Sequence, residues 1–125
     1  MSGRAGMESI LGRTDHVDLI YSATTSAAYG AYYALKAPGK GDGTLNVAAD
    51  GDCSGVRAVK NGIIGAMLLE YPDVMATNGV VAVAEYIKSG KRPESVNAGA
   101  KLVTDRPVQG VPSISAEEGL KQCWG

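Results

Sequence analysis

The 125-residue sequence contains no phenylalanine, one tryptophan, one histidine and two cysteines. With His16 as its sole imidazole, the chain lacks the material for a histidine metal cluster or a Cys–His catalytic pair. Cys53 and Cys123 lie far apart, so neither a CxxC redox motif nor a zinc-ligand spacing is present. Charge is balanced: 12 Lys and Arg against 13 Asp and Glu give a net charge of −1. The basic residues are scattered, slightly denser only from Lys88 to Arg92. That distribution gives no electrostatic reason to expect nucleic acid or an anionic membrane surface as a partner. No apolar run approaches the roughly 20 residues that span a bilayer. Met1 to Glu8 lacks the apolar core of a secretory signal, which fits either a cytosolic chain or a mature or cut piece of an exported one. A Gly-x-Ser-x-Gly nucleophile elbow is absent too.

What the sequence has is small and aliphatic residues. Seventeen glycines and abundant Ala and Val suit tight strand–helix turns, and 45% hydrophobic residues suffice for one core at this length. Met7, Ile10 and Leu11 mark a short helix stopped by Gly12. Val17–Ser22 reads as a strand. Thr24–Leu35 reads as a helix capped by Thr24 or Thr25, with Ala27, Ala28, Ala31 and Leu35 on one face. Residues 38–43 form a Gly-rich loop that precedes a strand, the wrong order for a phosphate cradle. Thr44–Ala49 is the next strand, Cys53–Lys60 a helix, and Ile63–Leu69 a third strand running into Glu70. Pro72 opens a helix over Asp73–Ser89 that Gly90 closes. Ala100–Thr104 reads as a strand, Arg106–Ser115 as an extended segment, and Ala116–Gln122 as a helix capped by Ser115. This alternation predicts βαβ units in one domain: an α/β fold with a parallel sheet and flanking helices. One helix is unusual. Val74, Met75, Val80, Val81, Val83, Ala84 and Ile87 cover most of its circumference, so both sides call for burial.

Two strands deliver carboxylates to a common edge. Leu45–Ala49 carries Asp50-Gly51 into a tight turn, and Ile63–Leu69 carries Glu70 to the brink of Pro72. Open α/β sheets bind ligands at the carboxyl ends of their strands, and the start of the helix after Ser22 would converge there as well. Asp50-Gly51 is also an ordinary turn, Thr24 an ordinary helix cap, and Tyr71 ordinary core beside a Pro. Asp50 and Glu70 read as a glycosidase carboxylate pair lack the supporting cleft. Tyr29, Tyr32 and Tyr33 share a helix and read as packing residues. Cys53 and Cys123 leave three readings open: small turn residues, a disulfide, or a reactive thiol. A disulfide across so long a loop contributes about 4 kcal/mol in the chain-entropy picture.

The runs Leu45–Val56 and Ile63–Pro72, with Ala100–Val108 and Leu120–Gly125, resemble the carboxyl-terminal lobe of periplasmic sugar-binding proteins of bacterial ABC importers. The branch is the type I, ribose- and fructose-type one, and the resemblance runs from about Arg4 to Gly125. It implies an incomplete lobe of a type I periplasmic-binding-protein fold, and binding of a monosaccharide without turnover or cofactor. Asp50 matches the family. Thr24 stands where an Asn is usual, Thr25-Ser26 replaces an acidic residue and its neighbour, and Glu70 stands where a Gln is usual. Tyr71 is placed to stack on a sugar face. The resemblance also implies a periplasmic location and an ABC permease as partner. In such proteins the helix at Asp73–Ser89 crosses to the first lobe, which this sequence does not contain. Homo-oligomerisation through that helix is therefore expected. Two other readings are a stand-alone α/β interaction domain with a decayed sugar site, and the sensor part of a sugar-responsive repressor, for which no helix-turn-helix is visible.

Overall fold

The computed structural model describes residues 2–37 and 39–125. Pro38, the first residue of the expected Gly-rich loop, lies outside them. The chain runs α1 (Ser2–Leu11), β1 (Leu19–Ser22), α2 (Thr25–Lys36), β2 (Leu45–Ala48), α3 (Cys53–Lys60), β3 (Ala66–Glu70), α4 (Pro72–Ser89), β4 (Ala100–Val103) and α5 (Ala116–Gly119). The strands form one sheet in the order β1-β2-β3-β4. The first three are parallel, as βαβ alternation requires, with Leu19 opposite Leu45 and Ala48 opposite Met67. The fourth is antiparallel, pairing Glu70 with Ala100 and Met67 with Val103. This departs from the all-parallel expectation. An antiparallel edge strand on an otherwise parallel sheet is common in α/β folds, and here the chain turns back beside β3 after α4, which does not pack on the sheet.

Two strands begin later than their apolar runs. Val17 and Asp18 are tied to the next strand through Thr44 Oγ1 donating to the Val17 carbonyl and Leu45 N to that of Asp18, and the ladder starts at Leu19. Ile63 and Ile64 spend their amides on the Ala58 carbonyl, closing the end of α3. Gly65 N then donates to the Asn46 carbonyl at 2.7 Å, and β3 begins at Ala66.

One sheet face carries the core. Ser22, Asn46, Ala48, Met67, Leu69 and Val103 are buried, and Ala28 of α2, Val56, Ala58 and Val59 of α3 and Ala116 of α5 join them. A second cluster of Met7, Ala31, Ala34 and Leu35 joins α1 to α2. There a side chain on Gly30 would come within 2.6 Å of the Arg4 amide nitrogen, so close helix contact requires glycine. The opposite sheet face is open: Leu19, Tyr21, Leu45 and Leu68 are exposed. So is α4, which has no buried residue along its 18 positions.

Candidate functional site

The parallel strands β1, β2 and β3 end at one edge, and the loops after them carry the candidate residues. Thr24 follows β1 as the N-cap of α2, in extended backbone with φ −140° and ψ 155°. Its Oγ1 accepts from Ala27 N at 3.3 Å and shares a hydrogen with Ser26 Oγ at 3.2 Å. Capping therefore engages the hydroxyl, though the residue stays exposed.

Asp50 follows β2 with φ 90°, the sole non-glycine residue at positive φ among the described residues. Such a conformation costs of order 1–3 kcal/mol and persists only where the surroundings impose it. Gly51 is also at positive φ, 70°, and a Cβ there would lie 2.5 Å from Leu69 Cα. This close approach seats the β2–α3 turn directly against β3 beside Glu70 and sets the two carboxylates on neighbouring tips. Among the described residues neither the Asp50 nor the Glu70 carboxylate is engaged by a hydrogen bond or ion pair. Both are half-buried.

Asp52, two residues on, is the opposite case, and sequence reasoning passed it over. Its Oδ1 accepts from Thr25 Oγ1 and from Gly55 N, both at 2.7 Å, and its Oδ2 from Ser54 Oγ at 3.0 Å. It caps α3 and ties it to the first turn of α2. An Asp immediately before a helical run was the signal available for it. Tyr71, after β3, is half-buried at the margin of the main core, and its hydroxyl donates to Gln122 Oε1 at 3.4 Å. Gln122 Oε1 also accepts from Lys101 Nζ at 2.6 Å. Tyr29 reaches toward the same region, its hydroxyl donating to the Ser54 carbonyl at 3.4 Å, and burial raises its pKa above that of a free tyrosine. It stacks on Tyr33 with ring centroids 6.4 Å apart, in keeping with a packing role.

The last residues of the chain fold over this turn. Cys53 and Cys123 form a disulfide. Cys53 N donates to the Trp124 carbonyl at 2.9 Å, and Trp124 Nε1 donates to the Asp50 carbonyl at 3.1 Å. The edge is otherwise open. A cavity of about 220 Å³ lies at the other end of the sheet, between Leu35, Leu45, Gly65 and Arg106, and holds none of Thr24, Asp50, Glu70 or Tyr71. No cluster of three or more metal-ligating side chains exists among the described residues. No helix of the described residues is long and apolar enough to cross a membrane. The arrangement offers hydrogen-bond acceptors at adjacent strand tips on an exposed rim, which suits recognition of a hydroxyl-bearing ligand by a surface that something else completes.

No family model matches the sequence. The ribose import binding protein of Haemophilus influenzae is 30% identical over 98 residues, which cover 78% of this chain and 33% of the relative. A galactofuranose binding protein superposes with a TM-score of 0.72 at 25% identity, over 96% of this chain and 40% of that one. An ABC transporter solute binding protein from Agrobacterium vitis, solved with bound D-fucose, gives a TM-score of 0.71 at 18% identity over 99% of this chain and 40% of that one. The chain thus spans about a third of the length of the curated relatives it matches. It resembles the carboxyl-terminal lobe of the type I periplasmic sugar-binding proteins of ABC importers, and its fold is that lobe in partial form. These relatives are a ribose import binding protein, a galactofuranose binding protein and an ABC transporter solute binding protein.

Proposed function

We propose that this chain supplies one side of a monosaccharide-binding site in the solute-binding component of an ABC importer, acting in the periplasm. The observation that carries the reading is the pair of unengaged carboxylates, Asp50 and Glu70, on adjacent tips of parallel strands. A carboxylate accepts from two sugar hydroxyls at once. Thr24 adds a short hydroxyl at the third tip, and Tyr71 an aromatic face beside Glu70. The work done is recognition without bond chemistry: hydroxyls are paired, a second lobe closes over the sugar, and the closed form is what the permease engages. Glu70 cannot donate while ionised, so the sugar itself must supply the hydrogens at that tip.

In the same reading α4 packs on the other lobe, which accounts for a helix with no buried residue whose exposed side chains include Val80, Val83 and Ile87. Without that lobe a bound sugar stays largely solvated, and this chain alone binds monosaccharides weakly or not at all. The test is titration of the isotopically labelled chain with D-ribose, D-fucose and D-galactofuranose, followed residue by residue. Shifts confined to Thr24, Asp50, Glu70 and Tyr71 at millimolar sugar support the site. Submicromolar binding by the chain alone overturns the need for a second lobe, and shifts elsewhere overturn the site.

A second reading, a stand-alone interaction domain with a decayed sugar site, draws on the same exposed helix. A contiguous apolar face of this extent marks an interface. Self-association through α4 in light scattering, with no sugar response at the strand tips, would favour it.

A further inference from the structure

We propose that Trp124 is a positioning residue for the ligand loop, and that the Cys53–Cys123 disulfide is the latch that keeps it there. This rests on the reading that Asp50 contacts the ligand. Asp50 holds a left-handed backbone that a residue with a side chain rarely adopts, and something other than its own preference must keep it there. Its carboxylate is unengaged, so the restraint acts through the main chain. The Asp50 carbonyl accepts the indole Nε1 hydrogen of Trp124 at 3.1 Å. Below it, the Cys53 amide donates to the Trp124 carbonyl at 2.9 Å, and Asp52 bridges Trp124 in parallel fashion. The disulfide joins Cys53 to the residue before Trp124. On the other side, Gly51 is wedged against the Leu69 main chain.

Residues 50–53 are therefore gripped from both sides, by β3 and by the segment 123–124. The β3 side is rigid core, since Leu69 is fully buried. The other side is a short segment whose tryptophan is 37% exposed, tied covalently to α3 by the disulfide and to the end of α5 by the Cys123 amide, which donates to the Gly119 carbonyl. The latch thus fixes the direction of the Asp50 carboxylate without touching the ligand.

The experiment is ¹⁵N relaxation on the full chain and on W124F, which removes the indole N–H and keeps an aromatic ring, and on the double variant C53S/C123S. A rigid backbone has an order parameter of about 0.85 and a flexible one below about 0.6. In W124F the Asp50 and Gly51 values should fall toward the flexible range, with the thermal midpoint and the values in β2 and β3 unchanged. C53S/C123S should reproduce the fall and extend it to Trp124. D-ribose shifts at Asp50 should weaken at least fivefold in both variants. Unchanged order parameters at Asp50 in W124F overturn the proposal, as does a loss of rigidity spread through the strands. If D-ribose moves residues away from the strand tips, the sugar-site reading fails, and if it moves nothing in the chain alone, the relaxation data still decide whether Trp124 positions the loop. If C53S/C123S does not fold, W124F decides it alone.

Discussion

α3 and α4 are successive helices of the same sheet, both rich in Val and Ala, and they have opposite fates. Of the eight residues of α3, Gly55, Val56, Ala58 and Val59 are buried. Of the 18 residues of α4, none is. The difference comes from what precedes them. α3 leaves its strand through a turn pressed against β3 by Gly51 and pinned by Asp52, so its apolar stripe is laid on Met67 and the residues around it. α4 leaves through Tyr71-Pro72 with no side-chain cap, and nothing draws it back over the sheet. Hydrophobic content alone therefore does not settle where a helix packs; the connection that aims it does.

The largest test of the contrast is a pair of truncations. Leu69→Ala removes a fully buried side chain from β3 and should cost about 2–5 kcal/mol. Ile87→Ala removes a residue that is 77% exposed and should stay within about 0.5 kcal/mol. Urea unfolding of both, followed by circular dichroism at a concentration where the chain is monomeric, measures the two values. Equal costs would mean that α4 is buried in solution.

The same contrast exists in miniature inside the β2–α3 turn. Asp52→Ala removes an N-cap and leaves Thr25 Oγ1 without its acceptor, so a loss of about 1–2 kcal/mol is expected. Asp50→Asn removes a charge that no protein group neutralises, and unfolding should move by less than about 0.5 kcal/mol. Chemical denaturation separates them: one acid holds the fold and its neighbour does not.

That difference explains what could be seen in the sequence. The alternation of apolar runs and Gly- or Pro-marked turns predicts the order of elements through α4, the α/β class, and helix boundaries such as Cys53–Lys60, because these depend on local pattern. The reversed direction of β4 depends on how residues 90–99 return to the sheet, and no local pattern encodes that. The late starts of β1 and β3 have the same origin: Ile63 and Ile64 have strand-like side chains but give their amides to the Ala58 carbonyl. At the strand tips, the positions of Thr24, Asp50 and Glu70 follow from the strand ends and were legible. The tie of Asp52 to Thr25 and the hold of Trp124 on the Asp50 carbonyl were not, since each depends on a partner 27 or more residues away, whereas the capping of Gly55 N by Asp52 is local and has a sequence signal.

The third test bears on α4 itself. Val80→Lys combined with Val83→Lys places charge on residues that are 71% and 59% exposed. The fold of the single chain should change by no more than about 0.5 kcal/mol per site. Any self-association should be abolished, because two added charges per chain cannot be desolvated in an apolar contact. Light scattering of the parent at high micromolar concentration, beside the variant, reads this. A parent that is already a stable monomer overturns self-association through α4.

The smallest expected effect lies at the end of α5, where Glu118 of the helix pairs with Lys121 of the turn that follows it. Lys121 Nζ lies 3.1 Å from Glu118 Oε2. Its hydrogen bond and charge hold the Glu118 carboxyl below the usual range for glutamate and raise the Lys121 ammonium above the usual range for lysine. For Glu118 the folded-state pKa is the lower one, so its contribution to stability is complete above the pKa of the unfolded chain and fades as pH falls through the folded value. For Lys121 the folded-state pKa is the higher one. Its contribution is therefore complete below the unfolded value and fades as pH rises through the folded one. The pair should thus act across the neutral range and lose its effect at both acid and strongly alkaline ends. Both groups are exposed, so salt should screen the effect, and the shift in midpoint should be slight. Lys121→Met should return the Glu118 carboxyl toward its ordinary titration range, which a carbon-detected NMR titration of its side-chain carbonyl follows directly. An unchanged Glu118 titration would mean that Lys121 is not its partner in solution, and that Gln122, whose amide donates to Glu118 Oε1 at 3.0 Å, sets the shift instead.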